Sequence, residues 1–329
     1  MRNSFKIILV AAAAMCATAC AEWLTPEPLA LRTNTIETQN PELYAQYLDA
    51  IKAYKASDHR MTYVAFSNTA ETPLNAQCRV ASLPDSVDVV ELTNPNYNDW
   101  TAEDMQEMRE KFNTKFVMRI SFPAIKEQMK AEFGDEYLTH IKDGVDALIK
   151  LAGEKNFDGI TVEYEGQGTL HAVEDEIETL RNQEAQIFPS VSAWRSANPD
   201  KLLFFEGNPQ HTVDHSVVLS ADKVILPTSG EKSAQKCGYV ALQAIQDEFK
   251  DIDVLFAVDA IPDDITDTST GRYFDGAALF LLTRWLTSDA PDVCQDAGVA
   301  IYKVQNDCFS PSIHYPNVRA AIRTLNPNS

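Results

Sequence analysis

The chain has 329 residues, 45% of them hydrophobic, and a formal net charge of −20. A surface this acidic repels nucleic-acid phosphates and anionic lipid, which excludes nucleic acid as a partner and a basic patch as a membrane anchor. A neutral or cationic ligand suits it better.

From the N-terminus, Arg2 and Lys6 precede an apolar run from Ile7 to Ala14 and small residues before Cys20. This is the pattern of a secretory leader over residues 1–19. The run is too short to span a bilayer, and no later stretch reaches spanning length. Its removal leaves the remainder more acidic still. Ala17-Thr18-Ala19-Cys20 resembles a bacterial lipobox, which makes Cys20 the expected lipidation site and the acyl chain the expected membrane contact. Cys16 fits less well, with Met15 before it, and ordinary secretion with an unmodified Cys20 is the alternative. Residues 20–40 are largely polar, contain Pro26 and Pro28, and read as a tether to a domain at 41–329. Cys78, Cys237, Cys294 and Cys308 then remain. None forms a C-x-x-C pair, which speaks against zinc, and disulfides and buried free thiols both stay open.

Beyond the tether, β-branched and apolar runs recur at Met61–Phe66, Val87–Leu92, Lys115–Ile120, Gly159–Tyr164, Leu202–Phe205, Lys223–Leu226, Val254–Val258 and Val299–Val304. Helical spacing lies between them at Ala102–Phe112, Tyr137–Lys150, Ala172–Trp194, Ala234–Phe249 and Phe274–Leu286, with Thr101 and Asp104 placed as a capping box. Eight strands alternating with helices, with no interior linker, predict a single (β/α)8 TIM barrel. An open doubly wound sheet is the competing fold, but no G-x-G-x-x-G follows any strand. In a barrel of this kind working residues sit at the C-terminal ends of strands.

The fourth predicted strand continues as Asp158-Gly159-Ile160-Thr161-Val162-Glu163-Tyr164-Glu165. Side chains alternate along a strand, so Thr161, Glu163 and Glu165 are expected to face the lumen, with Glu165 highest at its mouth. Carboxylates roughly 7 Å apart repel each other, which favours retention of a proton by one of them, and a protonated carboxyl can donate to a leaving group.

This stretch resembles the D-G-x-D-x-D-x-E motif of glycoside hydrolase family 18, which contains chitinases and endo-β-N-acetylglucosaminidases. Asp158, Gly159 and Glu165 match it, whereas Thr161 and Glu163 replace aspartates. Tyr63-Val64-Ala65-Phe66-Ser67-Asn68, Leu83-Pro84-Asp85-Ser86-Val87-Asp88, Gly298-Val299-Ala300-Ile301-Tyr302 and Cys20-Ala21-Glu22-Trp23 are similar to exported members of the family from gut Bacteroidetes. The resemblance implies Glu165 as general acid and a 2-acetamido group of the substrate as nucleophile, held by the residue at Glu163. The extra methylene of Glu163, the loss of charge at Thr161, and the absence of a tyrosine in Val224–Ser229 all weaken support for that acetamido group. A displacement of about 1 Å can cost on the order of 100-fold in rate.

Candidate sugar contacts near strand ends are Asn68, Asn94, Tyr97, Trp100, Glu206, Asn208, Gln210, Asp259, Tyr302, Gln305 and Asp307, with Asp158 and Thr161 from the motif. His171, His211, His215 and His314 lack metal-ligand spacing, and Asp263, Asp264 and Asp267 lack the calcium-loop pattern. Ser67 and Ser229 lack a nucleophile elbow. No cofactor or metal is expected. The implied partner is a glycan or glycoprotein, with outer-membrane glycan-uptake proteins as further expected partners of a surface lipoprotein of the outer membrane. The expected function is binding of N-acetylglucosamine-containing glycans with hydrolysis absent or weak. An active endo-β-N-acetylglucosaminidase and a protein-interaction scaffold are the alternatives.

Overall fold

The computed structural model describes residues 35–264, 266–310 and 313–327. The leader, Cys20 and most of the tether lie outside the described residues. Contacts divide the chain into units at 1–47 and 48–329. In the first, Thr35 caps a helical turn, Ile36–Gln39, and a longer helix, Pro41–Ala56, begins and then runs into the second. Among the described residues no helix is long and apolar enough to cross a membrane.

The second unit is a closed barrel of eight parallel strands. These are β1 (Thr62–Phe66), β2 (Val89–Leu92), β3 (Lys115–Ser121), β4 (Gly159–Glu163), β5 (Leu202–Glu206), β6 (Lys223–Leu226), β7 (Val254–Asp259) and β8 (Gly298–Tyr302), and β8 closes on β1. Every predicted strand is present, and the fold is a single (β/α)8 TIM barrel. Alternation makes each strand two-sided. Val64, Phe66, Val90, Leu92, Phe116, Met118, Ile160 and Val162 pack outward into the main core, while Tyr63, Val89, Val117, Phe204, Ile225, Leu255, Ala257 and Ala300 fill the lumen. Gly159 allows the close approach of β5, because a Cβ there would meet the Leu202 carbonyl oxygen at 2.3 Å.

The helices differ more from their sequence prediction. The segment Ala172–Trp194 is two helices, Glu174–Glu184 and Phe188–Ala197, because Pro189 supplies no N–H to continue the first and suits the first turn of the second. The helix Asp99–Phe112 starts earlier than expected. Its cap is Asn98, whose side chain accepts from the Thr101 N–H at 3.0 Å, so Thr101 is buried inside the helix and is no capping box. The last turn of Ala234–Phe249 is instead a separate 3-10 turn at Asp247–Phe249. Ahead of Ala278–Ser288, a two-stranded ribbon pairs Arg272–Tyr273 with Gly276–Ala277. Phe122–Phe133 and Pro316–Leu325 are further helices. The first follows β3 without a loop, capped by Ser121 with Pro123 in its opening turn. Cys78, Cys237, Cys294 and Cys308 are free thiols.

Candidate functional site

Above the apolar floor of the lumen the strands present a connected polar layer centred on Arg119 of β3. The register aligns Arg119 with Thr161 and places Ser121, Glu163 and Glu206 side by side across β3, β4 and β5. The Arg119 guanidinium then reaches three carboxyl groups on three strands: Glu91 Oε1 at 3.0 Å, Glu206 Oε2 at 2.6 Å and Glu163 Oε2 at 3.3 Å. Its planar fork of donors is suited to this multiple pairing, which a lysine could not reproduce. The Tyr302 hydroxyl donates to Glu206 Oε2 at 2.7 Å, and the Tyr302 ring lies 5.5 Å from the guanidinium carbon. The Tyr63 hydroxyl bonds Glu91 and stands 2.8 Å from Thr161 Oγ1.

One guanidinium therefore serves three carboxyl groups in a space largely closed to solvent. Burial pushes the Glu206 carboxyl above its ordinary range, and Arg119 only partly offsets this. Burial opposes the charge on Arg119, but Glu91 and Glu206 more than compensate and hold it firmly protonated. Burial also drives the Tyr63 and Tyr302 hydroxyls far above ordinary phenols, so both are hydrogen-bond donors and not bases.

The sequence candidates divide around this layer. Thr161, Glu163, Glu206 and Tyr302 belong to it. Glu165 does not: regular pairing of β4 ends at Glu163, and Gly166 turns the chain with φ +59, where a Cβ would strike the His211 carbonyl at 2.2 Å. The alternation expected to carry Glu165 into the lumen stops there. Glu165 is exposed and lines a hollow with Phe122, Pro123, Lys126, Glu127 and Lys130 of the helix after β3, and with Gln183. Asp158 lies at the opposite end of β4. It accepts from Arg109 Nε and Nη2 at 3.0 and 2.8 Å and from the Phe116 N–H at 2.8 Å, a latch at the foot of the barrel far from any sugar-binding rim.

Other candidates are committed to structure. Asn68 donates to the Asn94 carbonyl and accepts from the Asn94 N–H, both at 2.8 Å, so its amide ties together the loops after β1 and β2. Tyr97 packs edge-on against Phe157 and donates to the Lys155 carbonyl. Asp307 accepts from Asn317 and the Val318 N–H and so caps the last helix. Asn208 offers its carbonyl to the His211 N–H. Trp100 is 46% exposed with the Arg79 guanidinium 5.5 Å from its ring. Asp259, at the end of β7, has its carboxyl raised by burial against the pull of Lys303. Gln210 and Gln305 each bury a side-chain oxygen without a partner among the described residues.

Arg119, Glu91 and Tyr63 are the central residues that sequence reasoning did not single out. A signal was there: Arg119 interrupts Phe116-Val117-Met118-Arg119-Ile120, and Glu91 interrupts Val89-Val90-Glu91-Leu92. A lone charge inside an apolar strand has to find a partner when the strand is buried.

An eight-stranded parallel barrel with a polar layer at the C-terminal ends of its strands puts the protein in the (β/α)8 barrel class, in which functional side chains gather at that end. The sequence pattern of glycoside hydrolase family 18, BT1044-like, matches residues 25–324, and the chain belongs to that family. A Glu-to-Gln variant of BT1044 is 16% identical, with TM-score 0.60 over 88% of this chain and 95% of that one. The endo-β-N-acetylglucosaminidase of Cordyceps militaris in apo form is 15% identical, with TM-score 0.59 over 86% and 96%. A double variant of that enzyme in complex with fucosyl-N-acetylglucosamine-Asn is 15% identical, with TM-score 0.56 over 85% and 95%. At such identities the likeness is one of fold. No curated protein matches the chain in sequence.

Proposed function

We propose that the protein is a lipid-anchored glycan-binding member of its family, recognising N-acetylglucosamine-containing glycans with hydrolysis absent or feeble. The observation that carries this reading is the pairing of Arg119 with Glu91, Glu163 and Glu206. A substrate acetamido group needs a carboxylate free to hold it, and Glu163, which occupies the corresponding motif position, faces a guanidinium instead. Glu165, at the general-acid position, lies past the regular strand among helix residues. The donor position and the orienting group thus have different surroundings, and proton donation alone leaves the oxocarbenium-like transition state unsupported.

The competing reading, an active endo-β-N-acetylglucosaminidase, draws support from the same Glu165: it occupies the motif's general-acid position, and its carboxyl has no hydrogen bond or ion pair among the described residues. Native mass spectrometry with released high-mannose and complex N-glycans separates the two. The binder yields complexes whose glycan mass is intact after prolonged incubation. The enzyme yields shortened glycan, and Glu165→Gln abolishes the shortening. The cell-envelope anchor is tested separately, since labelling with a palmitate analogue marks the wild type and is lost in Cys20→Ala, whereas equal labelling of both refutes lipidation at Cys20.

A further inference from the structure

The hollow beside Glu165 is part of a longer groove. It encloses about 270 Å³, and an adjoining hollow of about 240 Å³ continues it along the helix Glu174–Glu184. The two share Lys126, Gly166 and Gln183, and neither includes a residue of the Arg119 layer. Small-molecule sites run from ~300 to 1,000 Å³, so the groove has the scale of a short saccharide arm and not of a protein segment.

Its chemistry fits that occupant. Glu165 can only accept when ionised, and Lys126 can only donate. Both line the same hollow, yet no ion pair joins them and neither has another charged partner among the described residues. The Lys126 ammonium instead lies 5.5 Å from the centre of the Phe122 ring. Gln183, half-buried and shared by the two hollows, has a side-chain amide with no partner among the described residues, and Gln167 brings a second amide to the second hollow. An acceptor, a donor and two amides around one depression are met together by hydroxyl groups, each of which donates and accepts at once. Charges of both signs line the groove, Glu165, Glu127 and Glu176 against Lys126 and Lys130, with Lys130 4.0 Å from Glu127, so an anion and a cation each meet repulsion as well as attraction.

We infer that this groove, between the helix after β3 and the turn after β4, is a saccharide-binding site for neutral, hydroxyl-rich glycan arms, and that Glu165 serves in it as a hydrogen-bond acceptor. The inference rests on the glycan-binding reading and moves the contact from the lumen, where Arg119 already occupies the carboxyl groups, to the helical rim. It makes Lys126 the main donor to the ligand and Gln183 a second contact.

The test is calorimetric titration of a released high-mannose N-glycan into the full mature protein and its variants. Lys126→Met keeps an unbranched apolar side chain of similar length but removes the ammonium donor. The expected loss is about tenfold in affinity, the scale of one hydrogen bond to a charged group. Lys126→Arg restores much of it, and Gln183→Leu weakens binding several-fold. Arg119→Lys, which disturbs the lumen fork while keeping its charge, changes affinity by less than about twofold, with folding checked by thermal melting. Wild-type affinity in both Lys126→Met and Gln183→Leu, with binding lost in Arg119→Lys, places the glycan in the lumen and overturns the groove while leaving the glycan-binding reading intact. Absence of wild-type binding to both high-mannose and complex N-glycans overturns both.

Discussion

Arg109 at the foot of β4 and Arg119 near its top engage the same strand with opposite charge balance. Arg109 meets one carboxylate, Asp158, which also accepts the Phe116 N–H, so the foot is a closed one-to-one latch. Arg119 is shared among Glu91, Glu163 and Glu206, one cation for three carboxyl groups, and burial keeps the Glu206 carboxyl raised despite it. Asp158 and Gly159, two of the three positions where the motif is kept, hold the barrel together, while the third, Glu165, is exposed. Thr161 and Glu163, where it is changed, sit in a layer whose carboxyl groups are engaged with one another's counter-ion. Under the proposed glycan-binding reading, the Asp158-Gly159 part of the motif persists for its architecture.

The largest expected effect comes from unbalancing the top. Arg119→Ala leaves three crowded carboxyl groups without their cation, and loss of one partner from a buried ionic cluster typically costs about 3–5 kcal/mol. Denaturant unfolding will show whether the layer is this tightly coupled; a loss below about 1 kcal/mol would show that the three contacts are incidental. At the foot, Asp158→Ala removes a guanidinium partner and leaves the Phe116 N–H unsatisfied, for an expected cost of about 1–3 kcal/mol. It should leave glycan affinity unchanged. An affinity loss with stability preserved would place Asp158 in recognition and erase the contrast between the two ends.

The sequence makes one of these ends far more legible than the other. Strand alternation identifies the barrel because every strand must satisfy the same two-sided burial, outward onto helices and inward onto Tyr63, Val117, Phe204 and their neighbours. The lumen layer depends instead on register between strands distant in sequence. Nothing local to Arg119 says that its partners are Glu91 and Glu206. The position of Glu165 depends on a turn at Gly166, whose backbone packs so close to the His211 carbonyl, 45 residues later in the chain, that no side chain fits, so counting by twos along β4 runs one step too far. Helix boundaries err for a local reason: Asn98 and Pro189 act through single hydrogen bonds gained or refused, which spacing of apolar residues does not register.

A smaller effect sharpens the account of the foot. Hydrogen bonding to Asp88 raises the His59 imidazole above its ordinary value, against the opposing effect of burial. A raised folded-state value stabilises fully below the unfolded value of about 6.5 and is lost as pH rises through the folded value. The melting temperature should therefore fall between pH 6 and 8, and His59→Asn should flatten that slope. Above this window Lys55, pushed down to about 8 by burial, acts in the other direction, because its neutral form is favoured in the folded chain. An unchanged slope in His59→Asn would remove His59 as the origin. The smallest expected change is in Glu165→Gln, which should alter stability by no more than about 0.5 kcal/mol, since the exposed carboxyl makes no hydrogen bond or ion pair among the described residues.

The central claim is that the polar layer around Arg119 binds its own carboxyl groups too well to organise catalysis. It is tested most directly by incubating wild-type protein at stoichiometric concentration with high-mannose and complex N-glycoproteins and measuring glycan release by mass spectrometry. The account predicts no release beyond trace, identical in wild type and Glu165→Gln. Robust release by the wild type that Glu165→Gln abolishes would contradict it.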